Sequence, residues 1–353
     1  MNLTRLVLRH FRCFEQLTWE PQPGLNFILG PNAQGKTSIL EAICFLLRLK
    51  SPRTNALEEL LRFGESSYCL EGFSAHHHQK VIVTPESPKK HQLFLDDVPQ
   101  SKKDDYLRLR SLVWFENEDL SLIHGPAGRR RDFLDSAGLQ LQPEYRSLLR
   151  FYERALRSRN LLLREGKSRR EIESYDLPLA ESGEQLIAIR ASLVKDLRPH
   201  VTEACQALSQ EKITLTYEPG ATLPMSEALK QSQLEEERLH YTQVGPHRDD
   251  FLIFLNDIPA GPFASEGQRR TLAIALKLGL ASLLHQKQST APLLLLDDIF
   301  GELDTTRRDA LLNHLPKTSQ AFFTTTTLAG LEAPPGSTLF YLRESAIFDS
   351  IVT

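Results

Sequence analysis

A chain of 353 residues, 41% of them hydrophobic, has material for about two domains with real cores, which excludes a disordered chain or a small stapled scaffold. A formal net charge of −3 excludes a global positive field, so any nucleic-acid contact has to come from a local patch. Cys13, Cys44, Cys69 and Cys205 stand without a close pair, which argues against a zinc cluster or a disulfide framework and for a reducing compartment.

In chain order, Leu3, Leu6, Val7 and Leu8 read as a strand that follows Met1 without a charged-then-apolar leader, and no apolar run reaches membrane-spanning length. The expectation is a soluble cytoplasmic protein with no membrane partner. Arg9 and Arg12 lie along this first strand. The most informative stretch follows. Leu25, Phe27, Ile28 and Leu29 read as a buried strand, and Ile39, Leu40, Ile43, Leu46 and Leu47 recur at helical period. Between them stands Gly30-Pro31-Asn32-Ala33-Gln34-Gly35-Lys36-Thr37-Ser38, a phosphate-binding loop in the surroundings that motif requires. Its glycines let successive backbone N–H groups face an anion, Lys36 brings charge to the β- and γ-phosphates, and the Thr37 hydroxyl can hold Mg²⁺ at a helix N-terminus. ATP with Mg²⁺ is the expected ligand, and Lys36 also serves catalysis.

Residues 68–95 have the strand-and-turn texture of an antiparallel face. Within them His76-His77-His78 lacks a cysteine partner and reads as an exposed loop rather than a metal site. Arg129-Arg130-Arg131 either touches DNA or pairs internally with Asp132, Asp135 and the nearby acidic segment. Helical stretches at 145–163 and at 179–197, the latter running on toward 207, are joined by a polar segment as an antiparallel pair would be, with Pro178 and Pro199 as punctuation. From Arg146 to Arg170 there are nine Lys/Arg against two Glu, so this region is a basic island on an acidic chain. Arg146, Arg150, Arg154 and Arg157 form one helical stripe, opposite the apolar Leu148, Leu149, Tyr152 and Leu156. The stripe reads either as a phosphate-tracking surface for DNA or as a solvated helix face.

Farther on, Ser265 is a fair N-cap for an amphipathic helix, and its hydroxyl with the Gly267 N–H, followed by Gln268, makes a second anion receptor. One site does not need two receptors. They make sense together if the helix of one protomer closes on the triphosphate held by another, which implies an ATP-dependent homodimer. Leu293 to Leu296 suit a central parallel strand covered on both faces, and Asp297 and Asp298 follow at its carboxyl end, where open α/β sheets bind ligands. Asp297 is assigned to Mg²⁺ and Asp298 to positioning the attacking water.

The order of phosphate loop, Ser-x-Gly-Gln signature, Leu-Leu-Leu-Leu-Asp-Asp strand and the Gly301-Glu-Leu-Asp304 turn resembles the ABC-type head of chromosome-maintenance and repair ATPases. More narrowly the chain resembles the RecF family of bacterial recombination mediators. That match rests on Val244-Gly-Pro-His-Arg-Asp-Asp250, Ile299 to Arg308, Glu118-Asp-Leu with Gly125, Arg130-Arg131-Asp-Phe-Leu-Asp135 and the Phe322 to Thr326 strand end. The resemblance implies an α/β fold: an ABC-type P-loop ATPase head split into 1–115 and 244–353, with an inserted, mainly helical lobe at 116–243. It also implies weak DNA-stimulated ATP hydrolysis and binding to double-stranded and gapped DNA. RecR and RecO are the implied partners, in placing RecA during gap repair, and Asp304 is the residue expected to shape the dimer interface.

The chain departs from the wider pattern in places. Asp298 stands where a glutamate is usual, so a base held back from the water should hydrolyse slowly. Thr324 to Thr327 replace a histidine, so a hydroxyl or another residue has to sense the γ-phosphate. Pro126 and Ala127 displace a proline, and Asn117 replaces another. Glu266 replaces glycine in the signature and must point away or find a cation such as Arg269. His247, Arg9 and Arg12 are candidate nucleotide contacts. Two rival readings stay open, an ATPase subunit driving a non-DNA partner and a nucleotide-dependent scaffold with essentially no turnover.

Overall fold

The computed structural model describes residues 2–107, 111–209, 211–222, 224–326 and 334–350. The chain divides into two compact units, 1–118 with 284–353 and 119–283.

The first unit opens with β1 (Leu3–Phe11), β2 (Phe14–Trp19), β3 (Leu25–Leu29) and helix α1 (Lys36–Arg48). It continues through β4 (Tyr68–Ser74), β5 (His78–Val83), β6 (His91–Leu95), β7 (Val98–Gln100), α2 (Lys103–Leu107) and β8 (Leu112–Phe115). The antiparallel texture read at 68–95 is realised in a six-stranded sheet of order β2-β1-β4-β5-β6-β7. Val81, opposite both Leu70 and Leu93, faces the core while Ile82 beside it is half-buried, the period-2 pattern of a sheet with one packed face. Helix α1 is buried almost all round because it packs against strands β4 and β5 on one side and β8 on another, which explains why its apolar positions exceed a single stripe.

The chain then builds the second unit. Short α3 (Ser121–His124) and α4 (Ala127–Leu141) lead to α5 (Tyr145–Arg164), α6 (Arg169–Glu173) and the long α7 (Asp176–Ser209). Next come β9 (Ile213–Glu218), α8 (Met225–Gln231), α9 (Gln233–Leu239), β10 (Asp250–Leu255), β11 (Ile258–Pro259), α10 (Ala260–Phe263) and α11 (Glu266–Gln288), which runs on into the first unit. Helices α5 and α7 pack around Tyr145, Tyr152, Ala155, Leu179, Leu186, Ile187 and Met225. Pro178 falls in the first turn of α7 and so marks its start, whereas Pro199 does not punctuate the region, since α7 runs on through it for 34 residues in all. Pro199 removes one backbone bond, but Leu197 and Val201 beside it are buried, so packing outweighs the lost bond. Residues 244–283, placed with the head from sequence, cluster with this unit because β10 pairs antiparallel with β9 and β11.

Back in the first unit come β12 (Leu293–Asp297), α12 (Thr305–His314), β13 (Ala321–Thr325), β14 (Thr338–Arg343) and β15 (Ala346–Ser350). They complete a second sheet of order β15-β14-β3-β13-β12-β8, parallel except for the β14–β15 hairpin. On one face Trp19 meets Phe322 and Phe340 edge-on at 5.5 and 5.1 Å, and on the other Phe27 stacks on Phe323 at 4.6 Å. With both faces covered, the four leucines of β12 are 3% exposed or less, as a continuous apolar run in a parallel sheet should be. Strands β3 and β12 flank β13, so the loop after β3 and the carboxylates after β12 emerge at the same carboxyl edge. Among the described residues no helix is long and apolar enough to cross a membrane.

Candidate nucleotide site

The loop after β3 is shaped by left-handed backbone. Ala33 has φ 65° and Gly35 φ 99°, and alternating such residues with right-handed ones turns successive N–H groups inward. Glycine is required twice. A Cβ at Gly30 would run into the Leu342 carbonyl oxygen, and one at Gly35 would lie 2.6 Å from Cys13 Sγ and 2.8 Å from the Phe14 ring. The β1–β2 turn therefore lies directly against the loop. Gln34 Oε1 accepts from Glu344 N at 2.9 Å and ties the loop to the β14–β15 turn. Gly35 is the N-cap of α1, and the first intrahelical bond runs from Ile39 N, so the N–H groups of Lys36, Thr37 and Ser38 point out of the helix end.

Lys36 is only 8% exposed and its Nζ donates to Gly30 O at 2.7 Å and Pro31 O at 2.8 Å. Burial pulls its pKa down, against the opposing pull of Asp298 and Asp297. Thr37 Oγ1 donates to Asp297 Oδ1 at 2.8 Å, although 260 residues separate them. Thr324 Oγ1 donates to the same oxygen at 2.7 Å and accepts from Asp298 N at 3.0 Å. Asp298 has φ 51°, a conformation Asp tolerates better than most residues. Hence the structure brings together Gly30 through Ser38, Asp297 and Asp298, the two aspartates being joined through Thr324, whose individual role sequence reasoning did not identify. The signal was the run Thr324 to Thr327, of which Thr327 lies outside the described residues.

One hydroxyl and one carboxylate at adjacent positions suit a hard cation. Thr37 Oγ1 and Asp297 Oδ1, 2.8 Å apart, would be the residues that hold Mg²⁺, which would supply charge neutralisation to a bound phosphate. Among the described residues there is no group of three or more His, Cys, Asp or Glu that could hold a metal ion.

The remaining candidates lie elsewhere. Ser265 caps α11 reciprocally with Gln268: Gln268 N donates to Ser265 Oγ at 3.3 Å and Ser265 N to Gln268 Oε1 at 2.8 Å. Gln268 Nε2 also donates to Glu211 Oε1 at 2.7 Å, so this side chain builds the helix start, while the Ser265 residue stays exposed. Glu266 finds its cation in Arg270 at 3.2 Å, not Arg269, because i,i+4 neighbours share a helix face. Asp304 caps α12 by accepting from Arg307 N at 2.9 Å.

On α5, Arg150, Arg154 and Arg157 are exposed and Arg146 is half-buried, with Tyr152 buried opposite. Arg157 pairs with Glu153 at 3.7 Å, a contact of little energy on an open surface. Arg159, missed from sequence, is instead buried between Asp176 and Glu236, each at 2.8 Å. Arg130 is bidentate to Asp250 at 2.6 and 2.8 Å, and Arg131 donates to Asp249 O at 2.9 Å, so these two pair internally but not with Asp132 or Asp135. Arg12 is bidentate to buried Glu41 at 2.8 Å and Arg9 pairs with Glu71 at 3.2 Å. His247 is half-buried in the second unit against Tyr152 and the Thr242 carbonyl, and desolvation there pulls its pKa down to about 4. His78 bridges Glu71 and Asp97 at 3.1 and 3.3 Å and stacks on Phe73, so it belongs to β5 rather than an open loop.

A P-loop on a largely parallel sheet, with the Asp-Asp strand end two strands away, defines the class: an ABC-type P-loop ATPase head with a long helical insertion. A family model described as the RecF/RecN/SMC N terminal domain matches residues 2–333. The DNA replication and repair protein RecF of Moorella thermoacetica is 35% identical over 340 residues, covering 94% of this chain and 92% of the relative. RecF of Lactococcus lactis subsp. cremoris is 33% identical over 355 residues, covering 98% and 99%. The chain belongs to the RecF family. A solved structure of the recombination mediator protein RecF-ATPrS in the RecFOR pathway superposes with a TM-score of 0.91 at 28% identity, covering 99% of this chain and 98% of that one. An Smc head superposes with a TM-score of 0.59 at 15% identity, a likeness of fold alone.

Proposed function

We propose that this chain is an ATP-dependent DNA-binding protein of recombinational repair and replication that acts as a dimeric clamp in the cytoplasm. The observation that carries the reading is the 2.8 Å bond between Thr37 and Asp297, which joins the phosphate loop to the metal strand at one carboxyl edge. ATP would bind through the N–H groups of 30–38 and Lys36, with Mg²⁺ on Thr37 and Asp297 supplying charge neutralisation of the phosphates. Asp298 would position the attacking water, and its short side chain favours slow turnover. Ser265 and Gly267 of a second copy, with Gln268 setting the helix start and Asp304 shaping the contact, would close over the γ-phosphate.

The closed state gains anion contacts that exist only with the triphosphate, so hydrolysis removes the differential affinity and the dimer opens. Arg146, Arg150, Arg154 and Arg157 would track duplex DNA beside single-strand gaps. Relatives named for the RecFOR pathway support a role with RecO and RecR in loading RecA. Molecular mass in solution with and without ATP, with Lys36→Met as control, tests the reading: a dimer in the wild type with ATP only is expected. A dimer in both proteins, or in neither, contradicts it.

A further inference from the structure

The segment just ahead of Ser265 inverts the usual rule for surface side chains. Ile258, Pro259, Pro262 and Phe263 are exposed, whereas the small Ala260 and Ala264 are buried. Phe263 shows 71% of its surface to solvent and Ile258 54%. Nor is this segment loose. Strand β11 pairs with β10 through Phe254 with Pro259 and Leu255 with Ile258, α10 packs on α3, and Ala264 N donates to Ala260 O at 3.0 Å. The fold therefore fixes four apolar side chains outward on a rigid support, where solvent contact costs free energy without return inside the monomer.

We infer that Phe263 is a positioning residue of the composite nucleotide site: it packs on the head of a second copy and holds Ser265 over that copy's triphosphate. The inference rests on the reading that two copies close on ATP. Phe263 is two residues from Ser265, so their Cα atoms lie within about 7.5 Å. Ser265 Oγ reaching hydrogen-bond distance of a γ-phosphate, about 3 Å, then brings the Phe263 ring onto the surface of the copy that holds the phosphate. In a two-fold dimer both copies make this contact, so each closure buries two rings.

The division of labour follows from the chemistry. Hydrogen bonds at Ser265 and Gly267 depend on the third phosphate and decide whether closure happens. An apolar ring is indifferent to phosphate number, so Phe263 sets the protein concentration at which closure happens. Loss of one buried phenylalanine contact corresponds to about a tenfold to hundredfold weaker association per copy.

The experiment measures mass against protein concentration with ATPγS for wild type, Phe263→Ser, Phe263→Leu and Ser265→Arg, with a fluorescent ATP analogue reporting binding to each. At protein concentrations low enough to keep both monomeric, where only a copy's own phosphate loop reports, Phe263→Ser is expected to bind nucleotide within twofold of wild type, while its dimer dissociation constant rises at least tenfold and Phe263→Leu recovers most of the loss. Ser265→Arg should not dimerise. If Phe263→Ser dimerises like wild type while Ser265→Arg does not, the clamp stands and the role given to Phe263 is wrong. If wild type stays monomeric with ATPγS, the clamp itself is wrong and this inference goes with it.

Discussion

Thr324 gives its hydroxyl hydrogen to Asp297 Oδ1 at 2.7 Å, the same oxygen that accepts from Thr37, so one carboxylate oxygen is oriented from strand β13 and from the start of helix α1 at once. Thr324 is 1% exposed and its oxygen also accepts the Asp298 N–H. Thr324→Val keeps the shape and removes both bonds. Outer groups that orient a metal ligand are worth about tenfold to a hundredfold in affinity. Titration with a fluorescent ATP analogue should show that loss with Mg²⁺ present and a smaller one with chelator. An equal loss in both would mean that Thr324 acts on the fold and not on the ligand.

Asp298 sits at φ 51°, which dictates how its role can be tested. Asn tolerates that backbone, whereas Ala or Glu would add strain of about 1 kcal/mol or more. Asp298→Asn is therefore expected to keep nucleotide binding within a few-fold while phosphate release falls at least a hundredfold, the usual range for losing a general base. Unchanged phosphate release would assign the water to another group.

What sequence could reveal tracks distance along the chain. Gly30 to Ser38 form one contiguous motif between a strand and a helix, and the four leucines ending in Asp297 carry their own burial signal, so both were legible before any fold was known. The supporting polar network was not. Arg190 bonds Tyr145, Pro246, Asp249 and Asp135, partners 45 to 59 residues away, and Arg130 reaches Asp250 across 120 residues. No local pattern pairs an arginine with one of many carboxylates at such separations. Arg12 illustrates the same limit, since no local pattern shows that Glu41 on α1, 0% exposed, takes its Nε and Nη2 while the Glu59 carbonyl takes its Nη1. Breaking the Arg190 cluster has a defined consequence. Arg190→Met leaves buried Asp249 without its cation and should cost about 3 to 5 kcal/mol in denaturant unfolding, far above a surface Arg→Met change.

His247 gives the protein an acid sensitivity whose sign is fixed. Its imidazole is held neutral by burial and by nearby Arg248 and Arg131, with its folded pKa at about 4 against an ordinary 6.5. The unfolded chain binds the proton first, so stability from this group is complete above pH 6.5 and is lost as pH falls from there toward 4. Full loss amounts to about 3 kcal/mol. His91, lowered to about 4 chiefly by burial, acts in the same direction in the first unit. Denaturant melts at pH 7 and pH 5 should show a drop in wild type that is smaller in His247→Gln. An identical drop in both would place the acid sensitivity elsewhere.

The arginine stripe makes a quantitative claim about DNA. Each phosphate neutralised on duplex DNA contributes a slope of about −0.9 to log K against log salt concentration. Arg150, Arg154 and Arg157 are exposed, and among the described residues their one ion pair is the loose one of Arg157 with Glu153, so little holds them back from phosphates. Replacing all three with Ala should lessen the salt slope by about two to three and weaken binding alike for every duplex sequence, because phosphate contacts carry no base information. Nucleotide affinity should stay as in wild type, since the phosphate loop lies in the other compact unit. A triple variant with the wild-type salt slope would show that α5 is a solvated face and would leave the non-DNA reading of this ATPase standing.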